Sequence, residues 1–392
     1  MKIRHILPEA HSVRKSLINS CSVQYKAGIL LILAFFLTGC GSGSKDTIRI
    51  GVAGAHSGDL ASYGLPSVNA VKIVADIWNK NGGIAGKQIE LIIEDDVCKP
   101  EIAVNTAARL IGRKVIAVIG HICSGATRAA LPLYRDSRIV CISPSATNPP
   151  LTKSGEFSNF FRTIAPDDAQ AKVCALFVLN KLKGSKIAIL HDKGDYGKGF
   201  AETAKLYFEE DGRAKIVVFD GITAGAVDYS AVINKIAVSG ADVVVYGGYH
   251  PEASKLVTQM RKKNMIQWFV SDDGVKDDTF IRVAGKYAEG VYATGPVDTS
   301  SNPLYQAAAA EHRSRYNEEP GAFFFQAYAA AEALFSAIEK AGSTEYEKIK
   351  SALRENYCNT TLGQIRFDAL GDASGIDFSM YRVDNGVYIP AE

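Results

Sequence analysis

A chain of 392 residues exceeds what one ordinary hydrophobic core organises and suits two lobes joined by a hinge. Its formal charge is +2, but five basic side chains and one acidic fall in the first 39 residues, which leaves 39 basic against 41 acidic beyond them. That near balance excludes a nucleic-acid binder, which needs a concentrated basic face.

Ala27 to Leu37 reads AGILLILAFFL. The run is too short to span a bilayer, which takes about 20 residues, and has the length of a signal-peptide apolar core, with Lys26 supplying positive charge just before it. Leu37-Thr38-Gly39-Cys40 follows, then Gly-Ser-Gly-Ser-Lys. This resembles the bacterial lipoprotein cleavage box. The resemblance implies removal of 1–39, diacylglycerol and further acyl chains such as palmitate on Cys40, and a lipidated tether over 40–46. Several acyl chains anchor far better than one. The expected location is a bacterial membrane, facing the periplasm or cell exterior. Lys45-Asp46 do not form an Asp-next-to-Cys retention pattern, so an outer-membrane anchor is expected in a two-membrane organism. The stretch before Ala27 is long for a charged leader and holds Pro8, His5, His11 and Cys21, which points to a start downstream, at Val23 or Leu17.

From Thr47 onward, short β-rich runs alternate with amphipathic helical stretches. TIRIGVAG (47–54), QIELIIED (88–95), VIAVIG (115–120) and RIVCISPS (138–145) are predicted strands, separated by helices near 68–78, 102–111 and 124–134. VIAVIG has almost no polar residue, as a strand covered on both faces requires. A second series starts near Asp167: helix 168–181, KIAIL (186–190), helix 197–210, KIVVF (215–219), helix 229–238, DVVVYGG (242–248), helix 251–262 and IQWFVSD (266–272). Repeated strand–helix units imply parallel sheets with right-handed crossovers, and two series imply two Rossmann-like α/β lobes. The tail adds helices at 303–316, 321–340 and 345–356, and Asp384-Asn385-Gly386 signals a tight hairpin. The expected lobes are 47–165 with 297–373, and 166–296 with 374–392.

Open α/β sheets bind ligands beyond the carboxyl ends of their strands, so the strand-to-helix loops are the candidates. Gly120-His121-Ile122-Cys123-Ser124-Gly125 opens a helix, whose start offers free N–H groups and partial positive charge to a carboxylate; the plainer reading makes Ser124 a helix cap. Ser143 to Pro150, SPSATNPP, suits a rigid polar rim or an ordinary Pro-rich turn. In the second series Tyr196-Gly197, Tyr249-His250 and Asp272-Asp273-Gly274 all follow strands. Tyrosines offer flat apolar faces with a polar tip, and Asp273 suits a ligand ammonium. Asp167 with Gln170 reads as a capping box, hence structural.

With Cys21 removed and Cys40 lipidated, five cysteines remain, so at least one has no partner within the chain. Cys98 and Cys123 lie in loops at neighbouring strand ends, and a bridge between them is expected; Cys141, Cys174 and Cys358 stay unassigned. No His-Glu-x-x-His, Cys-x-x-Cys pair, Gly-x-Ser-x-Gly elbow or phosphate loop occurs. His121, His191 and His250 support a metal site by count alone. No enzyme activity, cofactor or metal is expected.

NGGIAGKQIELIIEDDVCKP, VIGHICSGAT, SPSATNP, HDKGDYGKG, DGITAGAVDYS, VVYGGYHPE and GAFFFQAYAA occur in one order along the chain. Through them the chain resembles the periplasmic leucine/isoleucine/valine-binding proteins of branched-chain amino-acid ABC transporters. The resemblance runs from about Thr47 to the C-terminus and implies the type I periplasmic binding fold, closing on its ligand, and a Cys98–Cys123 bridge. It implies that the ligand carboxylate meets Ser124 and Thr147 with backbone groups near Ser145 and Ala146. Tyr63, Tyr196, Tyr249 and Phe323 would line the pocket. Asp273 stands where the family has a glutamate, one methylene longer. The implied role is a monomeric receptor delivering a branched-chain or similar apolar amino acid to ABC permease subunits. The alternatives are the same fold taking an amide or another amino acid for uptake, or serving in sensing.

Overall fold

The computed structural model describes residues 47–391; the expected signal peptide, tether and Cys40 lie outside the described residues. The first series forms β1 (Ile48–Gly54), α1 (Ala61–Lys80), β2 (Ile89–Asp95), α2 (Pro100–Gly112), β3 (Ala117–Ile119), α3 (Ser124–Asp136), β4 (Val140–Ser143), the short α4 (Pro150–Lys153) and β5 (Phe160–Arg162). The second forms α5 (Asp167–Asn180), β6 (Lys186–His191), α6 (Asp195–Asp211), β7 (Lys215–Gly221), α7 (Ser230–Ser239), β8 (Val243–Gly247), α8 (His250–Lys262), β9 (Trp268–Ser271), α9 (Asp278–Ala284) and β10 (Tyr292–Pro296). The tail forms α10 (Pro303–Tyr316), α11 (Phe324–Ala341), α12 (Tyr346–Glu355), β11 (Cys358–Thr360), β12 (Gly363–Ile365), β13 (Phe378–Asp384) and β14 (Val387–Pro390).

The first sheet has the order β2-β1-β3-β4-β5 and is parallel throughout. The second repeats that order as β7-β6-β8-β9-β10, then adds β13 and β14 antiparallel at its edge. The expectation of parallel sheets therefore holds for the first, while the second is mixed because the C-terminal hairpin joins it. Its turn is Asn385-Gly386, both at positive φ (50° and 75°), as a two-residue hairpin connection requires.

Both faces of each sheet are covered, and the strands divide their side chains with period two. Along β6 and β8, Ile187, Ile189, Val243 and Val245 pack on α5 and α6 through Cys174, Val178, Phe200 and Phe208. Ala188, Leu190, Val244 and Tyr246 point to the other face, against Ile233, Leu256 and Met260. In the first sheet, Ile48, Ile50 and Val52 pack with Val71, Val74, Ala330 and Leu334 of α1 and α11. Val118 and Cys141 face Ala107, Leu110, Ala130 and Tyr134 of α2 and α3. The C-terminal α11 thus completes the first layer and β13–β14 the second.

The chain passes from one sheet to the other after β5, returns after β10 and passes again before β13. Among the described residues no helix is long and apolar enough to cross a membrane.

Candidate ligand-binding cleft

In both sheets the order turns back on itself at β1/β3 and β6/β8, the place where open α/β sheets leave a crevice. The loops there face each other and touch. Asn148 Nδ2 donates to the Asp195 carbonyl at 2.5 Å, and Tyr63 Oη donates to the Gly274 carbonyl at 2.5 Å. Ser62 Oγ and His250 Nε2 approach to 3.3 Å. Between the loops lies a pocket lined by Tyr63, Ile122, Ser124, Ser145, Tyr196, Tyr249, Asp273, Gly274 and Phe323. Seven of the nine expected ligand-binding residues line this pocket. Ala146 and Thr147 lie in the same loop as Ser145 and are fully buried.

The first-sheet wall is internally braced. Cys123 is the N-cap of α3 and Ser124 its first helical residue, so the capping reading of Ser124 is replaced: its Oγ accepts from Asn148 N–H at 3.3 Å. Ser143 Oγ donates to the His121 carbonyl at 2.6 Å and accepts from Ser145 N–H (3.2 Å) and Ala146 N–H (2.9 Å). Ser145 Oγ donates to the Ile122 carbonyl at 2.7 Å, tying the two loops together. Arg162, fully buried, holds the loop from behind. It donates to the carbonyls of Ala146, Thr147 and Asn148 (3.3, 2.8 and 3.0 Å) while pairing Asp372 at 2.6 Å. Cys98 and Cys123 are bonded with Cα atoms 5.5 Å apart. Beside them runs a buried chain: Asp96 to His121 Nδ1 (2.5 Å), and His121 Nε2 to Tyr134 Oη (3.0 Å). His191 Nδ1 accepts from Lys193 N–H, and His250 meets Tyr63 and Ser62. The three histidines are therefore separately engaged, and no metal-holding cluster is found among the described residues.

The opposite wall is acidic. Asp273 opens a 3-10 turn with one oxygen held by Tyr196 Oη (2.5 Å) and Gln170 Nε2 (2.6 Å). Tyr196 Oη also accepts from Gly274 N–H at 2.8 Å, and Tyr196 reaches this spot because Gly197 lets α6 approach the Gly247 carbonyl with no Cβ between. The other Asp273 oxygen is buried without a hydrogen-bond partner. So are both oxygens of Asp167, the Gln170 carbonyl oxygen and Thr147 Oγ1. Thr147 lies close enough to favour the ionised form of Asp167, yet no well-directed bond joins them.

Asp167 corrects the sequence reading. Pro166 is the N-cap of α5, no side-chain cap bond forms, and Gln170 reaches to Asp273 instead of back to the helix start. Asp167 and Gln170 belong to the acidic wall. Burial, then the neighbouring Asp273 charge, holds Asp167 well above the usual carboxylate range; Asp272 is raised likewise. Burial pushes Asp273 up to about 6 despite its bonds from Tyr196 and Gln170. Among the described residues none of these three carboxyls has a Lys or Arg ion-pair partner. Buried acceptors without donors are costly, so this wall suits a cationic donor with several N–H groups.

Aromatic rings close the pocket's flank. Tyr63, 1% exposed, meets Phe323 (5.6 Å between centroids), Tyr249 (6.0 Å) and His250 (5.3 Å), and Tyr249 meets Tyr196 (5.1 Å). Burial raises the three tyrosine hydroxyls well above their ordinary pKa, so they stay protonated. The cleft offers a helix start on one wall, acceptors on the other and an apolar flank between them.

Two facing α/β units with such a cleft define a class of proteins that capture small solutes by closing on them. The chain belongs to the periplasmic binding protein family, matching it over residues 47–386, and is a solute-binding protein, not an enzyme. It is 37% identical over 339 residues to a leucine-, isoleucine-, valine-, threonine- and alanine-binding protein of Pseudomonas aeruginosa, covering 86% of this chain and 90% of that one. It is 34% identical over 337 residues to the Leu/Ile/Val-binding protein of Escherichia coli, covering 86% and 90%. Among solved structures, the branched-chain amino-acid transporter substrate-binding protein of Streptococcus pneumoniae, in complex with isoleucine, superposes with a TM-score of 0.79. It shares 30% identity and the match covers 88% of this chain and 99% of that one. A leucine-binding protein of Thermotoga maritima gives 0.81 at 25% identity, covering 88% and 98%.

Proposed function

We propose that this protein binds the zwitterion of a branched-chain or similar apolar amino acid and delivers it to the permease subunits of an ABC transporter. The observation that carries the reading is the set of orphaned acceptors on Asp167, Gln170 and Asp273, across a narrow pocket from the start of α3. The ligand carboxylate meets Ser124 and the Ser145–Thr147 loop. Its ammonium takes the orphaned acceptors, and its side chain lies against Tyr63, Tyr249 and Phe323. The names of the relatives support this class of solute. Closure excludes water and strengthens each polar contact. A solute that contacts both walls only when the cleft is shut shifts the protein toward that form.

The units that close are 47–165 with 297–373, and 166–296 with 374–392; the sheet membership of their strands supports the division. The protein acts as a monomer outside the cytoplasm, held by lipid on Cys40, a reading that rests on the LTGC sequence. Cys40→Ala should move it from the membrane to the soluble fraction, and continued tight attachment rejects the anchor.

A second reading, another small solute such as an amide or a different amino acid for uptake or sensing, rests on Asp273. Its shorter side chain is drawn toward Tyr196 and Gln170. Mass spectrometry of solute retained by the purified protein, followed by calorimetry against all natural amino acids, separates the two. Binding of leucine, isoleucine or valine is expected, and its absence rejects the first reading.

A further inference from the structure

We propose that the hinge contains a second small-molecule site, for a neutral, mostly apolar compound of about one ring carrying one amide-like group, whose occupation favours the closed protein. A cavity of about 190 Å³ lies among the three segments that connect the sheets. It is lined by Ile164 and Ala165 from the first, Val297 from the second and Ile376 from the third, with Leu362 and Gln326 closing it. Thr163, Thr299 and Asp377 also line it, and a space of this size admits a benzene-sized guest.

One wall group points to more than hydrocarbon. Gln326 is 8% exposed. Its backbone carbonyl accepts from Thr163 Oγ1 at 2.8 Å, but its side-chain amide has no hydrogen-bond partner among the described residues. Its amide atoms stay accessible to the open space of the cavity, and a primary amide on a guest would pair with both its donor and its acceptor.

The cavity's shape is tied to the angle between the sheets. The connecting segments hold each other at one end, where Val297 N–H donates to the Asp377 carbonyl at 3.0 Å. They meet Phe323 of the cleft through a small cluster of Ile164, Ala165, Ile376 and Phe378. Rotation of one sheet against the other must change backbone angles in these segments, because they are the covalent links. The contacts of Tyr63 with Gly274 and Asn148 with Asp195 mark the present arrangement as closed. A guest that fits this arrangement stabilises it, and by reciprocity raises affinity in the cleft. Only this coupling rests on the solute-binding reading; occupation of the cavity does not.

Benzamide, with toluene as its amide-free counterpart, tests the site on the whole protein by saturation-transfer NMR and calorimetry. Saturable benzamide binding is expected with and without leucine. Saturating benzamide should tighten leucine binding about fivefold, and leucine should tighten benzamide by the same factor. Ala165→Leu should abolish benzamide binding, and the variant should still bind leucine but with an affinity that benzamide no longer changes. Gln326→Leu should weaken benzamide about tenfold and toluene little. Four results overturn the proposal: no saturable binding to folded protein, undiminished binding by Ala165→Leu, competition between benzamide and leucine, or leucine affinity indifferent to benzamide. If leucine itself does not bind, the solute identified by mass spectrometry replaces it in the titration, so failure of the cavity and failure of the amino-acid reading are told apart.

Discussion

The two walls of the cleft are built on opposite principles. On the first-sheet wall the Ser143, Ser145 and Ser124 hydroxyls are bonded and a buried arginine braces the loop from behind. On the acidic wall four buried acceptor atoms, both oxygens of Asp167, one of Asp273 and the Gln170 amide oxygen, are left without donors. The first wall is preorganised, which lowers the ordering cost of binding. The second holds unfavourable electrostatics that a cation relieves. Selectivity for charge is therefore expected to reside mainly in the acidic wall and positional accuracy in the braced one.

The strongest way to break this contrast is to neutralise the acidic wall. Asp273→Ala should weaken amino-acid binding about 100-fold, as expected when one partner of a buried charge pair is truncated, and calorimetry reads it directly. Asp167→Asn should weaken binding comparably while raising the melting temperature of the ligand-free protein by about 2 °C, because a like charge leaves the cluster. A purely structural Asp167 would lower both. On the braced wall, Cys98→Ser should cost about 2–4 kcal/mol of stability in denaturant unfolding, with a smaller loss of affinity than Asp273→Ala.

Acidity sharpens the contrast further. Asp273 titrates near 6, raised from 3.8. A raised folded-state value means that this group favours the ligand-free fold most below about pH 4 and withdraws that contribution as pH rises through 6. Affinity for an ammonium runs the other way, because binding needs the carboxylate. It should be flat above about pH 7 and fall about tenfold per pH unit below 6. A pH-independent affinity removes Asp273 from the contact. The smallest effect should come from Ser124→Ala, about fivefold for one hydrogen bond. If it exceeds that of Asp273→Ala, the division of labour between the walls is wrong.

Much of this was legible in the chain. β-rich apolar runs located β1, β2, β6 and β8, and helical patterns located their helices within a few residues except α1, which starts seven residues before the expected 68; Asn385-Gly386 located the last hairpin. Strands of three residues such as β5, β11 and β12 carry too few positions to show a period. β10 escaped notice because YATGP, with Gly and Pro, reads as a turn. At the cleft, loops after predicted strands and the family motifs brought forward seven residues of the pocket wall. Asp167 and Gln170 were misread because their spacing fits a local cap equally well, and only the crossover before α5 turns them toward Asp273. Arg162 carried no local signal, since its acceptors are carbonyls of a loop 14 to 16 residues earlier.

The bridge from Tyr63 to the Gly274 carbonyl joins a phenol to a peptide group, neither of which changes protonation near neutrality. It latches the two halves without reading the cargo. Whatever binds the shut protein from outside can thus register that the jaws have met while remaining blind to what they enclose, and discrimination among solutes must be finished before that encounter begins.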